Sequence, residues 1–104
     1  MSEIHQYDIG TAFRMTIYDE SNNIVNVSGT SPVIIFTKPD KTVVEKSGTI
    51  YTDGEDGKIQ YVSEENDLDT VGQWQIQAFI YFSDSTQLYS NISTFRVYRN
   101  LEQQ

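Results

Sequence analysis

The chain has 104 residues with a net charge of −8, 38% hydrophobic residues, 12% aromatic residues and no cysteine. Its length suits one domain with one core, and the lack of cysteine excludes disulfides, thiolate zinc sites and a cysteine nucleophile. The 15 acidic residues outnumber the 7 basic ones, which argues against a nucleic-acid binder that must displace counterions with lysine and arginine.

The N-terminal segment is polar and acidic, and its only histidine is His5. It lacks the basic and apolar regions of a secretory signal, and no apolar run of the chain approaches the ~20 residues of a membrane span. We therefore expect neither a signal nor a membrane partner, and we expect His5 to be solvent-exposed in a mobile terminus.

The first predicted strand covers Ala12 to Tyr18, where Phe13, Met15 and Ile17 recur at every second residue. Period-2 alternation indicates a half-buried strand. Turn-forming residues follow, and residues 24–27 are predicted to resume an extended strand as part of a hairpin or corner.

A continuous apolar run at 33–37 predicts a strand that is buried on both faces, or whose second face is partly covered. A turn at 38–41 follows, and then two weak strands at 42–46 and 49–52. Two Asp-Gly pairs within residues 53–57 predict a hairpin turn at the tip of a loop, where Gly54 and Gly57 tolerate substitution unless they take positive φ.

A returning strand is predicted at 58–63, and the acidic segment 64–69 is predicted to form one helical or 3₁₀ turn with Leu68 pointing inward. The strongest predicted strand runs from Gln73 to Phe82, with apolar side chains at every second position. Two further strands are predicted at 87–90 and 92–98.

These elements predict an all-β fold, an antiparallel β-sandwich of about seven to eight strands, because short strands alternate with turn signals every 8–12 residues. The expected organisation is one domain over residues 1–104, with its core at about 4–100. No internal repeat or linker interrupts it.

Residue chemistry argues against an enzyme. A Ser-His-Asp triad could use only His5, and no Gly-x-Ser-x-Gly elbow accompanies it. A zinc site needs several nitrogen or sulfur ligands, and this chain offers one. We name no catalytic, cofactor-binding or metal-binding residue. Seven carboxylates between Asp53 and Asp69 leave open a calcium site, although their spacing does not match an EF-hand loop.

Of the 13 aromatic residues, ten are assigned to one of two predicted faces. Five are expected in the core: Phe13, Phe36, Trp74, Phe82 and Phe95. Five are expected on outer faces: Tyr18, Phe79, Tyr81, Tyr89 and Tyr98. Exposed aromatics favour contact surfaces, although tyrosine also simply favours strands. The best candidate interaction surface lies on one face of the longest strand and consists of Gln75, Gln77, Phe79 and Tyr81.

An ordered pattern spans nearly the whole chain. Its elements are the segments 8–17, 33–40, 52–61, 67–74 and 95–97. This pattern resembles the small immunoglobulin-like module of tailed bacteriophages. It is similar to the N-terminal domain of phage baseplate upper proteins and to stand-alone phage proteins of about this length.

The resemblance implies an immunoglobulin-like, non-enzymatic structural protein of the virion, made in the bacterial host cytoplasm. Such a module docks on other virion proteins as a baseplate, tail or fibre adaptor or as a capsid decoration, in many copies or as a homo-oligomer. The alternative is a module that binds carbohydrate or adheres to the host surface, with a surface glycan as partner.

Overall fold

The computed structural model describes residues 4–83 and 85–100. The other residues of the expected domain over 1–104 lie outside the described residues. The described residues form nine strands and no helix, so the predicted all-β class is confirmed. No helix in this part of the chain is therefore long and apolar enough to cross a membrane. The strands are β1 (Ile4–His5), β2 (Ala12–Thr16), β3 (Val33–Thr37), β4 (Val43–Ser47), β5 (Thr49–Ile50), β6 (Lys58–Val62), β7 (Gly72–Tyr81), β8 (Gln87–Tyr89) and β9 (Ser93–Tyr98).

The strands form two sheets. The six-stranded sheet has the order β1-β9-β7-β3-β4, with β8 also paired to β7, and the three-stranded sheet has the order β2-β6-β5. All pairings are antiparallel except that of β1 with β9, which is parallel. Strand β7 is central because it pairs with β3 along one side and with β8 and β9 along the other.

The core is formed by alternate residues of these strands. Along β7 the side chains of Trp74, Ile76, Ala78 and Ile80 are buried, and Trp74 is 1% exposed. The Trp74 indole N–H donates to the Thr70 carbonyl at 2.8 Å, which satisfies its polar atom inside the core. The inward alternation predicted for this strand is therefore confirmed.

Phe36 is the centre of the aromatic cluster in the core. Its ring lies 5.4 Å from Phe13, 5.7 Å from Tyr61 and 6.1 Å from Trp74, in edge-to-face arrangements. Such arrangements are favoured by the ring quadrupoles. Trp74 and Phe36 are buried as predicted, whereas the predicted core rings of Phe13, Phe82 and Phe95 are half-buried and pack against the cluster.

Residues 24–27 do not form the predicted strand. They contribute one isolated bridge between Tyr18 and Ile24, and the Val27 N–H donates to the Gly54 carbonyl at 2.8 Å. Val27 is completely buried. The Val25 N–H also donates to the Ile17 carbonyl at 3.0 Å. The chain therefore turns back on itself after the first strand, as the expected corner requires, although residues 24–27 form no continuous strand.

The predicted helical turn at 64–69 is also wrong, because the segment forms non-helical turns. The Asp67 N–H donates to the Glu64 carbonyl, while the Asp67 carboxylate accepts the Glu64 N–H. Asn66 has a φ of +67°, which a right-handed helical or 3₁₀ turn does not allow. Leu68 is buried as predicted, at 1% exposure.

The 51–57 connection between β5 and β6 is a packed loop, and its two glycines are buried. Gly54 and Gly57 have φ of +87° and +73°. A Cβ on Gly54 would lie 2.6 Å from the Cα and N atoms of Ser28. The tolerance expected at a loop tip therefore does not hold at these positions, because both glycines take positive φ and Gly54 packs against another segment.

The first two described residues form a short strand. Ile4 and His5 pair in parallel with Val97 and Tyr98 of β9. His5 is half-buried, with its ring 6.2 Å from that of Tyr98. The expectation of a solvent-exposed histidine is wrong, because β9 supplies backbone partners for this short strand.

Candidate functional site

The candidate site is the side of the six-stranded sheet that faces away from the core, called here the outer face. Strand β7 lies at its centre, and register places outward residues of β3, β4, β8 and β9 around it. The residues that define the outer face are Val33, Ile35, Thr37, Val43, Glu45, Gln73, Gln75, Gln77, Phe79, Tyr81, Tyr89, Ile92, Thr94, Arg96 and Tyr98.

The four predicted surface residues share this face but differ in exposure. Gln75 and Tyr81 are exposed, Tyr81 by 52%, whereas Gln77 and Phe79 are half-buried. Their common orientation follows from the alternation of side chains along a strand. That they form an interaction surface stays a prediction.

Two contacts explain why Phe79 and Gln77 are partly covered. Phe79 lies opposite Tyr89 of β8, and their ring centroids are 4.7 Å apart. The Gln77 amide donates to the Ser90 carbonyl at 2.9 Å, and the Ser90 hydroxyl accepts the Ala78 N–H at 2.8 Å. Ser90 thus holds the chain against β7 where it passes from β8 to β9.

Apolar neighbours widen the surface beyond the predicted residues. Ile35 lies opposite Gln77 on β3, and Ile92 is 58% exposed beside it. Together with Thr37, Gln75 and Gln77 they line a shallow depression of about 40 Å³. Ile35 and Ile92 were not predicted as surface residues from the sequence. For Ile35 a signal existed, because the apolar run at 33–37 is also compatible with a strand whose second face is only partly covered.

The aromatic residues predicted on outer faces are correctly placed. Tyr18, Tyr81, Tyr89 and Tyr98 are all exposed, and Phe79 faces outward beneath Tyr89. Tyr18 lies beyond the end of β2, outside both sheets, and the remaining four lie on the outer face. Four of the five aromatic residues predicted on outer faces therefore lie on the outer face of the six-stranded sheet.

The outer face carries almost no charge. Its only charged side chains among the described residues are Glu45 of β4 and Arg96 of β9, which have opposite signs. The chain as a whole has a net charge of −8. The acidic excess thus lies elsewhere, and the outer face can lose water without stripping many ions of their hydration.

The acidic region at 53–69 is divided by strand β6. Asp53, Glu55 and Asp56 precede β6, and the other four carboxylates follow it. The first group caps turns, since Asp53 accepts the Glu55 N–H and Asp56 accepts the Lys58 N–H. The described residues contain no group of three or more histidine, cysteine or acidic side chains arranged to hold a metal ion.

Asp67 is the most enclosed carboxylate of this region. Burial raises its pKa, but the Tyr61 hydroxyl, the Glu64 N–H and the Lys46 ammonium all stabilise the charged form. The pKa of Asp67 therefore lies below its ordinary value. Burial and the neighbouring Asp67 raise the pKa of Tyr61, so the phenol stays protonated as the donor.

Comparisons with known proteins concern the curated proteins, the solved structures and the protein families. No curated protein matches it. A crystal structure of CopC from Methylosinus trichosporium OB3b matches 99% of this chain and 91% of its own chain, with a TM-score of 0.57 and 12% identity, which shows similarity of fold alone. The family model of the BppU N-terminal domain matches residues 2–103. The chain therefore belongs to the family of N-terminal domains of phage baseplate upper proteins, as the sequence resemblance indicated.

Proposed function

We propose that this chain is a non-enzymatic structural protein of the phage virion and that it docks on other virion proteins through the outer face. Its family is one of phage baseplate proteins, which supports a place in the baseplate. The observation that carries the docking surface is the nearly uncharged, tyrosine-bearing sheet face of a strongly acidic chain.

The chemistry of the outer face favours a protein partner. Interface centres are depleted in charged residues and enriched in aromatic ones. Tyr81 and Tyr89 offer large apolar area with few rotatable bonds, so little conformational entropy is lost when a partner covers them. Gln75 adds an exposed amide that can donate and accept hydrogen bonds within such a contact.

The proposed architecture is one immunoglobulin-like β-sandwich domain over residues 1–104. It is supported by two sheets that share one buried cluster, and by a pairing pattern that is antiparallel except at β1. A small rigid domain of this kind suits repeated attachment to a larger particle. Multiple copies or a homo-oligomer would then add avidity to a modest individual interface.

Particle incorporation tests the proposal. Tyr81→Lys places a charge on the outer face at the end of β7. Val62→Lys is the control, since Val62 is 43% exposed on β6 of the three-stranded sheet. Both proteins should melt like the wild type. We expect only Tyr81→Lys to be depleted from purified particles, measured by quantitative mass spectrometry after complementation of a phage that lacks the gene.

Equal incorporation of the two variants would contradict docking through the outer face, and absence of the wild-type chain from particles would contradict the virion role. A glycan array separates the carbohydrate-binding alternative. Specific glycan binding that Tyr81→Ala abolishes would favour that alternative, because the same ring would then be engaged by a sugar.

A further inference from the structure

Strand β4 forms one edge of the six-stranded sheet. Among the described residues it pairs only with β3, which leaves the backbone N–H and C=O groups of its other side without a strand partner. Val44 and Lys46 point inward because they lie opposite the buried Phe36 and Ile34. Free sheet edges accept an added strand.

A cavity of about 140 Å³ lies directly beside the inward side chains of this edge. Aromatic and aliphatic side chains form one part of its walls: Phe13, Phe36, Val44, Tyr61, Leu68 and Trp74. Polar side chains form the other part: Lys38, Lys46, Ser63, Asn66 and Asp67. A cavity of comparable volume is large enough for a benzene ring. The space therefore matches one aromatic or branched aliphatic side chain.

Two ion pairs at the rim connect opposite walls of this cavity. The Lys46 ammonium lies 3.0 Å from the Asp67 carboxylate, which joins β4 to the loop that follows β6. The Lys38 ammonium lies 3.0 Å from Asp69 in the same way. Because each of these charges already has a partner, the side chain that enters the cavity does not need to be charged.

The surroundings of the cavity favour a basic partner. Glu45 lies on β4, and Glu64 and Glu65 lie on the loop across the cavity; all three are exposed and form no ion pair with any described residue. A lysine or arginine on an added strand would lie opposite Glu45, and cross-strand pairs of opposite charge stabilise sheets.

We propose that the free edge of β4 binds an extended segment of a partner protein, whose single aromatic or branched aliphatic side chain enters the cavity and whose neighbouring residues are basic. The inference rests on the proposed docking function and gives it a second contact, apart from the outer face. The added strand extends the sheet, and its inward side chain replaces the void beside Val44 and Trp74.

Lys46 makes this edge selective. An inward-pointing charge on an edge strand prevents indiscriminate pairing with other sheets. A partner segment gains binding energy from the cavity only when its inward side chain lies beside Val44. In the other register that side chain would lie over Lys46 and meet an ammonium group already paired with Asp67. Register is therefore set by the cavity.

The test uses the isolated protein and a capped pentapeptide of sequence Thr-Lys-Phe-Lys-Thr. We expect saturable changes in the NMR signals of the Val44 and Lys46 amides and of the Trp74 indole N–H. A peptide with alanine in place of phenylalanine should bind about tenfold more weakly or worse, because the ring supplies the buried contact. A peptide with glutamates in place of both lysines should also bind more weakly.

Two variants of neighbouring residues provide the matched control. Val44→Phe fills the cavity from within and should weaken peptide binding about tenfold or more. Val43→Phe adds the same ring to the same strand on the opposite face, where Val43 is 58% exposed, and should leave binding within about twofold. Thermal melts establish that both variants are folded.

No saturable change with the phenylalanine peptide up to its solubility limit would overturn the proposal, as would equal binding by Val44→Phe and Val43→Phe. These outcomes are distinct from failure of the proposed function. Peptide binding is measured on the isolated protein, whereas the virion role depends on incorporation into particles and on Tyr81.

Discussion

The two faces of β7 show how one strand serves two different demands. On the inner face, Trp74 and Ile80 are buried in the core. On the outer face, Gln75 and Tyr81 are exposed and belong to an almost uncharged surface. Both sets alternate along the same backbone. The comparison implies that inward substitutions change the free energy of unfolding and that outward substitutions change association.

The largest expected effect is on the inner face. Trp74→Ala should lower the free energy of unfolding by about 3–5 kcal/mol, because it removes a buried ring and leaves a cavity. This is a large share of the total stability of about 5–15 kcal/mol that is usual for a domain. Urea denaturation measures it, with the outward neighbour Gln73→Ala as control. A Trp74→Ala protein as stable as wild type would break the comparison.

The second largest effect is expected in the loop between β5 and β6. Gly54→Ala should cost about 3 kcal/mol, because Gly54 has φ of +87° and the new Cβ would overlap the Ser28 backbone. Gly29→Ala is the control, with φ of +77° and open space around the new Cβ, and should cost only about 1–2 kcal/mol. Equal losses in denaturant titrations would show that the contact with Ser28 is unimportant.

A smaller effect is expected at the rim of the cavity. Asp67→Asn should cost about 1–3 kcal/mol at neutral pH, because it weakens charge-assisted hydrogen bonds from Tyr61 and Lys46. The folded-state pKa of Asp67 is lowered, so the carboxylate stabilises the fold above its ordinary pKa of about 3.9. That contribution is lost as the pH falls through the lowered value.

The measurement is the difference in unfolding free energy between Asp67→Asn and wild type as a function of pH. The difference should shrink on acidification below about pH 4. Glu65→Gln, at an exposed position of the same loop, should stay within about 0.5 kcal/mol of wild type. A pH-independent difference for Asp67→Asn would contradict the role of its charge.

The smallest effect on stability is expected on the outer face. Tyr81→Ala should change the free energy of unfolding by about 0.5 kcal/mol or less, because its side chain is largely exposed. Its inward neighbour Ile80→Ala should cost about 2–5 kcal/mol. Thermal melts of the two variants compare adjacent residues of one strand, and similar losses would show that the outer residue also supports the core.

The alternation of the strands could be predicted from the sequence because it is local. The inward Trp74 and Ile80 and the outward Gln75 and Tyr81 follow from a two-residue period that needs no knowledge of the partner strand. The same reasoning located Phe13 and Met15 on the core side of β2. The all-β class and the face of the candidate site were therefore accessible from residue order alone.

Features that depend on distant segments could not be predicted in this way. The pairing of Ile4 with Val97 joins the two ends of the described chain, and the burial of Gly54 depends on Ser28. The half-burial of Phe79 requires Tyr89 to lie on the next strand. In each case a side chain's surroundings are set by register or loop packing, which local pattern does not contain.

A reconstruction of the intact particle by electron cryomicroscopy tests the central claim most directly. The account predicts that Tyr81 and Gln75 lie against another virion protein or another copy of this chain, with the acidic loops around Asp53 facing solvent. A particle in which these two side chains face solvent while the three-stranded sheet makes the contacts would contradict it.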